Sequence, residues 1–130
     1  MLAVALLADA AGSIFNLYAE FWWFDEALHF FSSFAITLVL ALYAYGALLT
    51  GRRRHEVLLV LTIAGLGVAL GVLWEMVEWG FDLVEPGNVI RDKADTMTDL
   101  VLDAAGGLLA GILSLIMLRK GRRPKLTPPL

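Results

Sequence analysis

Four long runs of apolar residues, separated by short polar segments, set the pattern of this chain. A run of about 20 apolar residues is long enough for a helix to cross a bilayer. The polar segments are an acidic and aromatic stretch, a basic turn, a Glu-Pro-Gly-Asn turn and a basic C-terminal run. We therefore predict an all-α fold, an integral membrane four-helix bundle formed as one transmembrane domain by residues 1–118. The predicted helices are about 2–18, 26–49, 56–84 and 95–118, and residues 119–130 form a basic cytoplasmic tail.

The first apolar run could be a signal peptide or a membrane helix, because both contain an apolar segment near the N-terminus. This run has no basic residue before it, and Asp9 interrupts it. Both features differ from a secretory signal, so we interpret residues 2–18 as a first membrane helix.

Composition supports the membrane interpretation and removes several classes of function. Hydrophobic residues make up 59% and charged residues 18% of the chain, whereas soluble domains carry about 45–50% and about 25%. There are no cysteines, so disulfides and thiolate metal ligands are excluded. The basic runs are short and flank apolar segments, which is typical of a membrane surface and not of nucleic-acid binding.

The basic residues also predict the orientation of the chain. Residues 52–54 and the run 119–125 belong on the cytoplasmic face by the positive-inside rule, and nearly all acidic residues then map to the opposite side. Trp22 and Trp23 suit the outer membrane–water interface, where aromatic residues are enriched. We predict a multi-pass membrane protein with both termini in the cytoplasm.

Each predicted helix carries its polar residues on one face when positions are plotted at 100° per residue. Lipid cannot solvate ionisable groups, so these faces must point into the bundle. The polar residues of the outer half are His29, Glu75, Glu78, Asp82, Asp95, Asp99 and Asp103. The same faces carry Gly67, Gly71, Gly106 and Ala110 in the cytoplasmic half. Small residues allow close helix packing, so we predict a tight cytoplasmic half and a polar pocket that faces outward.

Several carboxylates cannot all stay ionised together in a low-dielectric pocket. Protonation, neutralisation by Arg91 and Lys93, or binding of a divalent cation would each resolve this conflict. One imidazole with carboxylates suits Zn²⁺, Mn²⁺ or Mg²⁺, and carboxylates with water suit Ca²⁺. The candidate metal ligands are His29, Glu75, Asp99 and Asp103. The candidate catalytic residues are Glu78, as general base on a bound water, and Glu75. The candidate substrate-binding residues are Arg91, Lys93 and Asp95, with the two basic residues holding a phosphate headgroup.

The order of the motifs resembles a known family. The motifs are Asp25-x-x-x-His29, then Trp74-Glu75-x-x-Glu78, then Pro-Gly-x-x-x-Arg-x-x-x-Asp-Thr-x-x-Asp over residues 86–99. Across about residues 25–111 the chain is similar to the VanZ-like superfamily, and most similar to its YjdF-like (DUF2238) bacterial inner-membrane proteins. This resemblance implies a multi-helix membrane protein with an outward polar site. Asp103 stands where VanZ proper has Asn, and Glu78 replaces the Gln of a Glu-x-x-Gln pattern, which favours the YjdF-like group over a role in glycopeptide resistance.

Three functions fit these residues. The first is a metal-dependent enzyme that acts on a lipid or cell-envelope substrate at the outer leaflet. The second is a transporter coupled to protons or cations, or a small-molecule-binding protein, although the glycine-rich cytoplasmic half argues against a polar path. The third is an accessory or structural subunit whose acids form a hydrogen-bonded network. The expected partners are the lipid bilayer and such a substrate, with homo-oligomerisation left open and no nucleic acid.

A single Cys introduced at Arg54 should react with a membrane-impermeant maleimide only after spheroplasts are permeabilised, because the basic turn is expected on the cytoplasmic face. The chain has no native cysteine, so the label reports this position alone. Labelling of intact spheroplasts would contradict the predicted topology.

Overall fold

A computed structural model describes residues 2–48, 56–84 and 89–121 of the chain. These ranges form helices joined by turns, and they contain no strand. The helices are α1 (Leu2–Ile14), α2 (Leu17–Glu20), α3 (Phe24–Leu48), α4 (Glu56–Val84) and α5 (Lys93–Gly121). The predicted basic turn at 51–55, the turn at 85–88 and most of the 119–130 tail lie outside the described residues.

Three of these helices are long and apolar enough to cross a membrane. The candidate spans are Phe24–Tyr43, Glu56–Val84 and Lys93–Lys120. α4 and α5 have 29 residues each. At 1.5 Å per residue such a helix extends over about 43 Å, more than the hydrocarbon thickness of about 30 Å. The all-helical fold with membrane-length helices is confirmed within the described residues, whereas a fourth spanning helix is not.

The first predicted helix, 2–18, is interrupted in the structure. α1 ends at Ile14, and Asn16 takes a left-handed conformation with a φ of 58°. Asn tolerates this region better than most residues, because its short polar side chain can bond locally. α1 has 13 residues. A helix of that length covers about 20 Å, which is too short to cross the hydrocarbon region.

Side chains around this break hold α1 against the bundle. The Tyr18 hydroxyl donates a hydrogen bond to Asp9 Oδ1 at 2.7 Å. The Tyr18 and Phe24 rings meet edge to face, with their centroids 5.1 Å apart. Burial and the hydrogen bond to Asp9 raise the pKa of Tyr18 well above its usual value, so the hydroxyl remains a donor. Asp9, which interrupts the first apolar run, therefore has a local partner.

A capping interaction explains where α5 begins. Asp92 Oδ1 accepts hydrogen bonds from the backbone N–H groups of Ala94 at 2.7 Å and Asp95 at 3.1 Å. This is the arrangement of a helix N-cap. The helix therefore starts at Lys93 instead of near Asp95, and it continues to Gly121, into the predicted tail.

α5 packs along both α3 and α4 and forms the centre of the bundle. At the end of the bundle where α5 finishes, Arg119 pairs with Glu56 at the start of α4. The buried residues near this end include an apolar cluster of Ala41, Leu59, Ile63 and Ala110, with the hydroxyl side chains of Thr37 and Ser114 buried beside it. The buried ionisable side chains of the described residues gather instead at the opposite end, where α5 begins.

Glycines let α5 approach both neighbours closely. A Cβ atom added to Gly106 would lie 2.5 Å from the carbonyl oxygen of Phe30 on α3. One added to Gly67 on α4 would lie 2.8 Å from the carbonyl oxygen of Asp103 on α5. These distances leave room for hydrogen but not for a methyl group, so the helix backbones are in direct contact at both seams.

Gly106→Ala should destabilise the bundle, because the added methyl group meets the α3 backbone. Overpacking of this kind costs about 1–3 kcal/mol, which exceeds the ~1 kcal/mol that Ala gains over Gly in helix propensity. Gly65→Ala is the matched control, since nothing lies within 4 Å of its added Cβ. Thermal unfolding in detergent should show a lowered midpoint for Gly106→Ala alone; equal midpoints for both variants would contradict the close packing.

Candidate functional site

The four residues predicted as metal ligands are all buried at the polar end of the bundle. They reach this end from three helices, because α3 and α5 begin there and α4 ends there. Their exposed fractions are 5% for His29, 7% for Glu75, 3% for Asp99 and 3% for Asp103. Ionisable groups this deeply buried in membrane-length helices are costly, and they are usually functional.

His29 stands at the centre of the site. Its Nδ1 lies 3.1 Å from Asp103 Oδ2, which fits an Nδ1–H group that donates to the carboxylate. Its Nε2 is buried and has no hydrogen-bond partner within the described residues. Glu75 Oε1 lies 3.9 Å and Asp25 Oδ1 lies 3.8 Å from this nitrogen. Both distances are too long for a hydrogen bond, so the nitrogen faces carboxylates without bonding them.

Glu75 and Glu78 lie one helical turn apart on α4 and face the same point. Glu75 Oε1 is also buried without a hydrogen-bond partner in this part of the chain. Glu78 Oε1 accepts a hydrogen bond from Trp74 Nε1 at 2.7 Å. One ligand atom from each of His29, Glu75 and Glu78 lies within 4.8 Å of the other two. Such a group can hold a cation, a proton shared between carboxylates, or a polar substrate group.

A second acidic group lies beside the first. Ligand atoms of Asp25, Asp95 and Asp99 also lie within 4.8 Å of one another. Arg91 partly neutralises this group, because its Nη2 lies 2.7 Å from Asp25 Oδ2 and its Nε lies 3.3 Å from Asp95 Oδ1. Burial lowers the pKa of Arg91, but the hydrogen bond to Asp25 and the charge of Asp95 outweigh it and raise the pKa above its usual value. The guanidinium therefore stays charged.

The geometry divides the predicted ligand set in two. Asp103 contacts Nδ1 of His29 and so orients the ring. Glu75 instead faces Nε2, on the other side of the ring. Asp99 belongs to the second group, with Asp25 and Asp95. Glu78, predicted as a general base, belongs to the first group with His29 and Glu75.

The predicted substrate-binding residues are spread over the start of α5. Arg91 and Asp95 contact each other, and the Arg91 side chain is 46% exposed. Lys93 is exposed at the first position of the helix. Asp25 opens the Asp25-x-x-x-His29 motif but is in none of the predicted metal, catalytic or substrate-binding sets, although its i, i+4 spacing to His29 places both on one helix face. That spacing is the signal that identifies Asp25 as a site residue.

Asp82 does not join the site, although it shares the polar face of α4. Its two carboxylate oxygens accept hydrogen bonds from the backbone N–H groups of Val89 at 2.8 Å and Ile90 at 3.0 Å. Asp82 therefore ties the end of α4 to the segment that leads into α5.

An apolar cavity of about 220 Å³ adjoins His29 of the first group. It lies between α1, α3 and α4, and the polar residues of its wall are His29, Ser32, Ser33 and Asp103. The rest of the wall is mainly apolar and includes Leu6, Leu28, Ile36, Leu70, Trp74 and Val77. His29 and Asp103 thus belong both to the polar site and to the cavity.

Comparison with known proteins agrees with this architecture. A family model described as "Predicted membrane protein (DUF2238)" matches residues 1–120. The chain belongs to this family. The membrane location of DUF2238 proteins accords with three helices that are long and apolar enough to span a bilayer.

One curated relative of this DUF2238 chain is an uncharacterised protein of Thermotoga maritima. The two are 38% identical over an alignment of 104 residues, and the alignment covers 77% of this chain and 52% of the relative. The chain therefore spans about half the length of the curated relative that it matches. No solved structure matches it.

Nδ1 of His29 in this DUF2238 protein should carry a proton, because the Asp103 carboxylate accepts a hydrogen bond from that nitrogen. ¹⁵N NMR of the detergent-solubilised protein should show a protonated Nδ1, with His55→Gln removing the only other histidine. Asp103→Asn should shift the Nδ1 signal, whereas Glu20→Gln, an exposed acid-to-amide change, should not. An unprotonated Nδ1, or an Nδ1 signal unchanged in Asp103→Asn, would contradict this hydrogen bond.

Proposed function

We propose that this membrane protein binds a divalent cation between His29 and Glu75 and uses it to act on a lipid or cell-envelope substrate. One observation carries the proposal. His29 Nε2 and Glu75 Oε1 are buried, face each other at 3.9 Å and have no hydrogen-bond partner among the described residues. Buried polar atoms are nearly always paired, so two unpaired atoms at one point indicate a missing binding partner.

The surroundings of His29 favour a cation as that partner. Histidines that bind a metal usually donate their other ring N–H to a carboxylate, which fixes the tautomer and directs the lone pair at the ion. Asp103 holds Nδ1 in this way. A metal–ligand distance of about 2.0–2.2 Å lets one ion contact two atoms that are 3.9 Å apart. One imidazole and one carboxylate leave further positions for water or substrate.

Glu78 is the general base in this proposal. One of its oxygens accepts from Trp74. The other, for which the described residues show no hydrogen bond, could take a proton from a water held by the ion. A bound metal lowers the pKa of such a water towards 7, so a carboxylate at this distance can activate it at neutral pH. Arg91, with Lys93 and Asp95 beside it at the start of α5, would hold a phosphate group of the substrate.

The orientation of the site belongs to the same proposal. The basic turn at 52–54 and the run at 119–125 favour cytoplasmic termini in a bacterial inner membrane, and the polar end of the bundle then opens towards the outside. α1 would be the fourth and shortest helix of the proposed four-helix bundle. The motif order supports placing this DUF2238 chain within the VanZ-like superfamily.

A structural role is the second candidate, and specific contacts favour it. Ser33 Oγ on α3 donates to the Asp103 carbonyl oxygen on α5 at 2.8 Å, and the His29–Asp103 contact joins the same two helices. In that reading the acids hold the helices together and bind nothing. Transport is less well supported, because the described residues have no buried ionisable side chain towards the other end of α5.

Metal analysis separates these candidates. The detergent-purified protein, dialysed against Mn²⁺ or Zn²⁺, should retain stoichiometric metal by mass spectrometry. Glu75→Gln should lose it, and Asp103→Asn should bind it about 10–100-fold more weakly, as expected for a carboxylate that orients a ligand. Glu78→Gln should keep the metal and lose lipid-phosphate hydrolysis. Glu20→Gln is the control for the charge change.

The variant Asp99→Asn tests which of the two acidic groups holds the ion. If the ion lies with His29 and Glu75, this variant keeps its metal, since Asp99 belongs to the neighbouring group. Wild-type protein without metal, together with a large fall in the unfolding midpoint of Glu75→Gln, would contradict the enzyme proposal and support the structural one.

A further inference from the structure

We propose that the apolar cavity between α1, α3 and α4 binds one hydrocarbon chain of a membrane lipid, so that the lipid's polar group lies at His29. This inference rests on the proposed function and specifies its substrate: an amphiphile with at least one long alkyl chain. The polar site alone would fit many soluble anions or cations, whereas the cavity beside it fits hydrocarbon.

The wall of the cavity suits an alkyl chain. Leu6, Leu28, Ile36, Leu70 and Val77 contribute aliphatic surface from three helices, and no Lys or Arg lines it. Apolar cavities do not hold ordered water, because water there finds too few polar partners. A methylene chain instead gains dispersion contacts with every wall.

The polar residues of the wall determine the orientation of the bound lipid. His29 and Asp103 line the cavity and also belong to the polar cluster, through the 3.1 Å contact between them. The open Nε2 of His29 lies 3.9 Å from Glu75. A chain inserted in the cavity therefore brings the lipid's linkage to its headgroup beside His29, the residue that the cavity shares with the proposed cation site.

The helix arrangement leaves a lateral route from the bilayer. α1 packs against α3 and α2, but no Cα atom of α1 lies within 8 Å of one in α4 among the described residues. Leu6 on one side of this gap and Val77 on the other are about half exposed, at 47% and 51%. A lipid chain can therefore enter sideways between α1 and α4 without crossing water.

The test uses the full chain in nanodiscs of phosphatidylglycerol that include a tracer with a photoreactive diazirine on one acyl chain. After illumination, peptide mass spectrometry should place adducts on α4 around Leu70 to Val77 and on α1 around Leu6. Leu70→Trp fills the cavity and should lower these adducts about tenfold, since overpacking an occupied apolar site weakens binding by about that factor. Leu61→Trp, on the opposite face of the same helix and 60% exposed, should leave them unchanged.

The outcomes separate this inference from the function on which it rests. Adducts spread evenly over the lipid-facing surface, or equal in Leu70→Trp and Leu61→Trp, would overturn the proposed chain site. Metal retained in the same sample would still support the cation site. Adducts in the cavity with no metal in any sample would support the chain site and remove the enzyme. If Leu70→Trp does not fold, Ile36→Phe fills the cavity from α3, and the wild-type adduct map is decisive without either variant.

Discussion

Ionisable side chains inside membrane-length helices dictate how this bundle is arranged. Lipid cannot solvate them, so α3, α4 and α5 must turn their polar faces towards one another. His29, Glu75 and Asp99 come from three different helices, and each is at most 7% exposed. The rotation of every long helix about its axis follows from this requirement. The exposed surface is then left to apolar side chains such as Leu61 and Val101, as a bilayer requires.

Close packing and the polar site depend on each other. Gly67 and Gly106 bring the backbone of α5 into contact with α4 and α3. Only at that separation can Asp103 reach His29 with its carboxylate while its own carbonyl oxygen accepts from Ser33. Larger residues at the glycine positions would move α5 away and leave these polar groups unpaired in hydrocarbon. The glycines are therefore a condition for the site, although none of them contributes a functional group.

Helical arithmetic predicts the long helices and their inward faces, because both depend only on a repeat of 3.6 residues and on what lipid can solvate. It does not predict the break at Asn16, which is set by a single backbone conformation. Nor does it divide the acids into two groups. Whether Asp103 contacts Nδ1 or Nε2 of His29 depends on side-chain rotamers and on helix rotations of a few tens of degrees. The hydrophobic repeat of the sequence does not distinguish differences of that size. Asp25 was missed for a simpler reason, since its position before an apolar run resembles that of a solvated loop acid.

The pattern of paired and unpaired atoms bears on whether the cluster holds the fold or binds a ligand. A network that serves only stability should satisfy its members, since each buried polar atom left unpaired costs about 1–3 kcal/mol. Here the side of His29 that faces Asp103 is satisfied, and the side that faces Glu75 is not. The satisfied side fixes the ring in place. His29 also lines the apolar cavity between α1, α3 and α4. A ring that is held on one side and unpaired on the other accords with the binding role proposed for it.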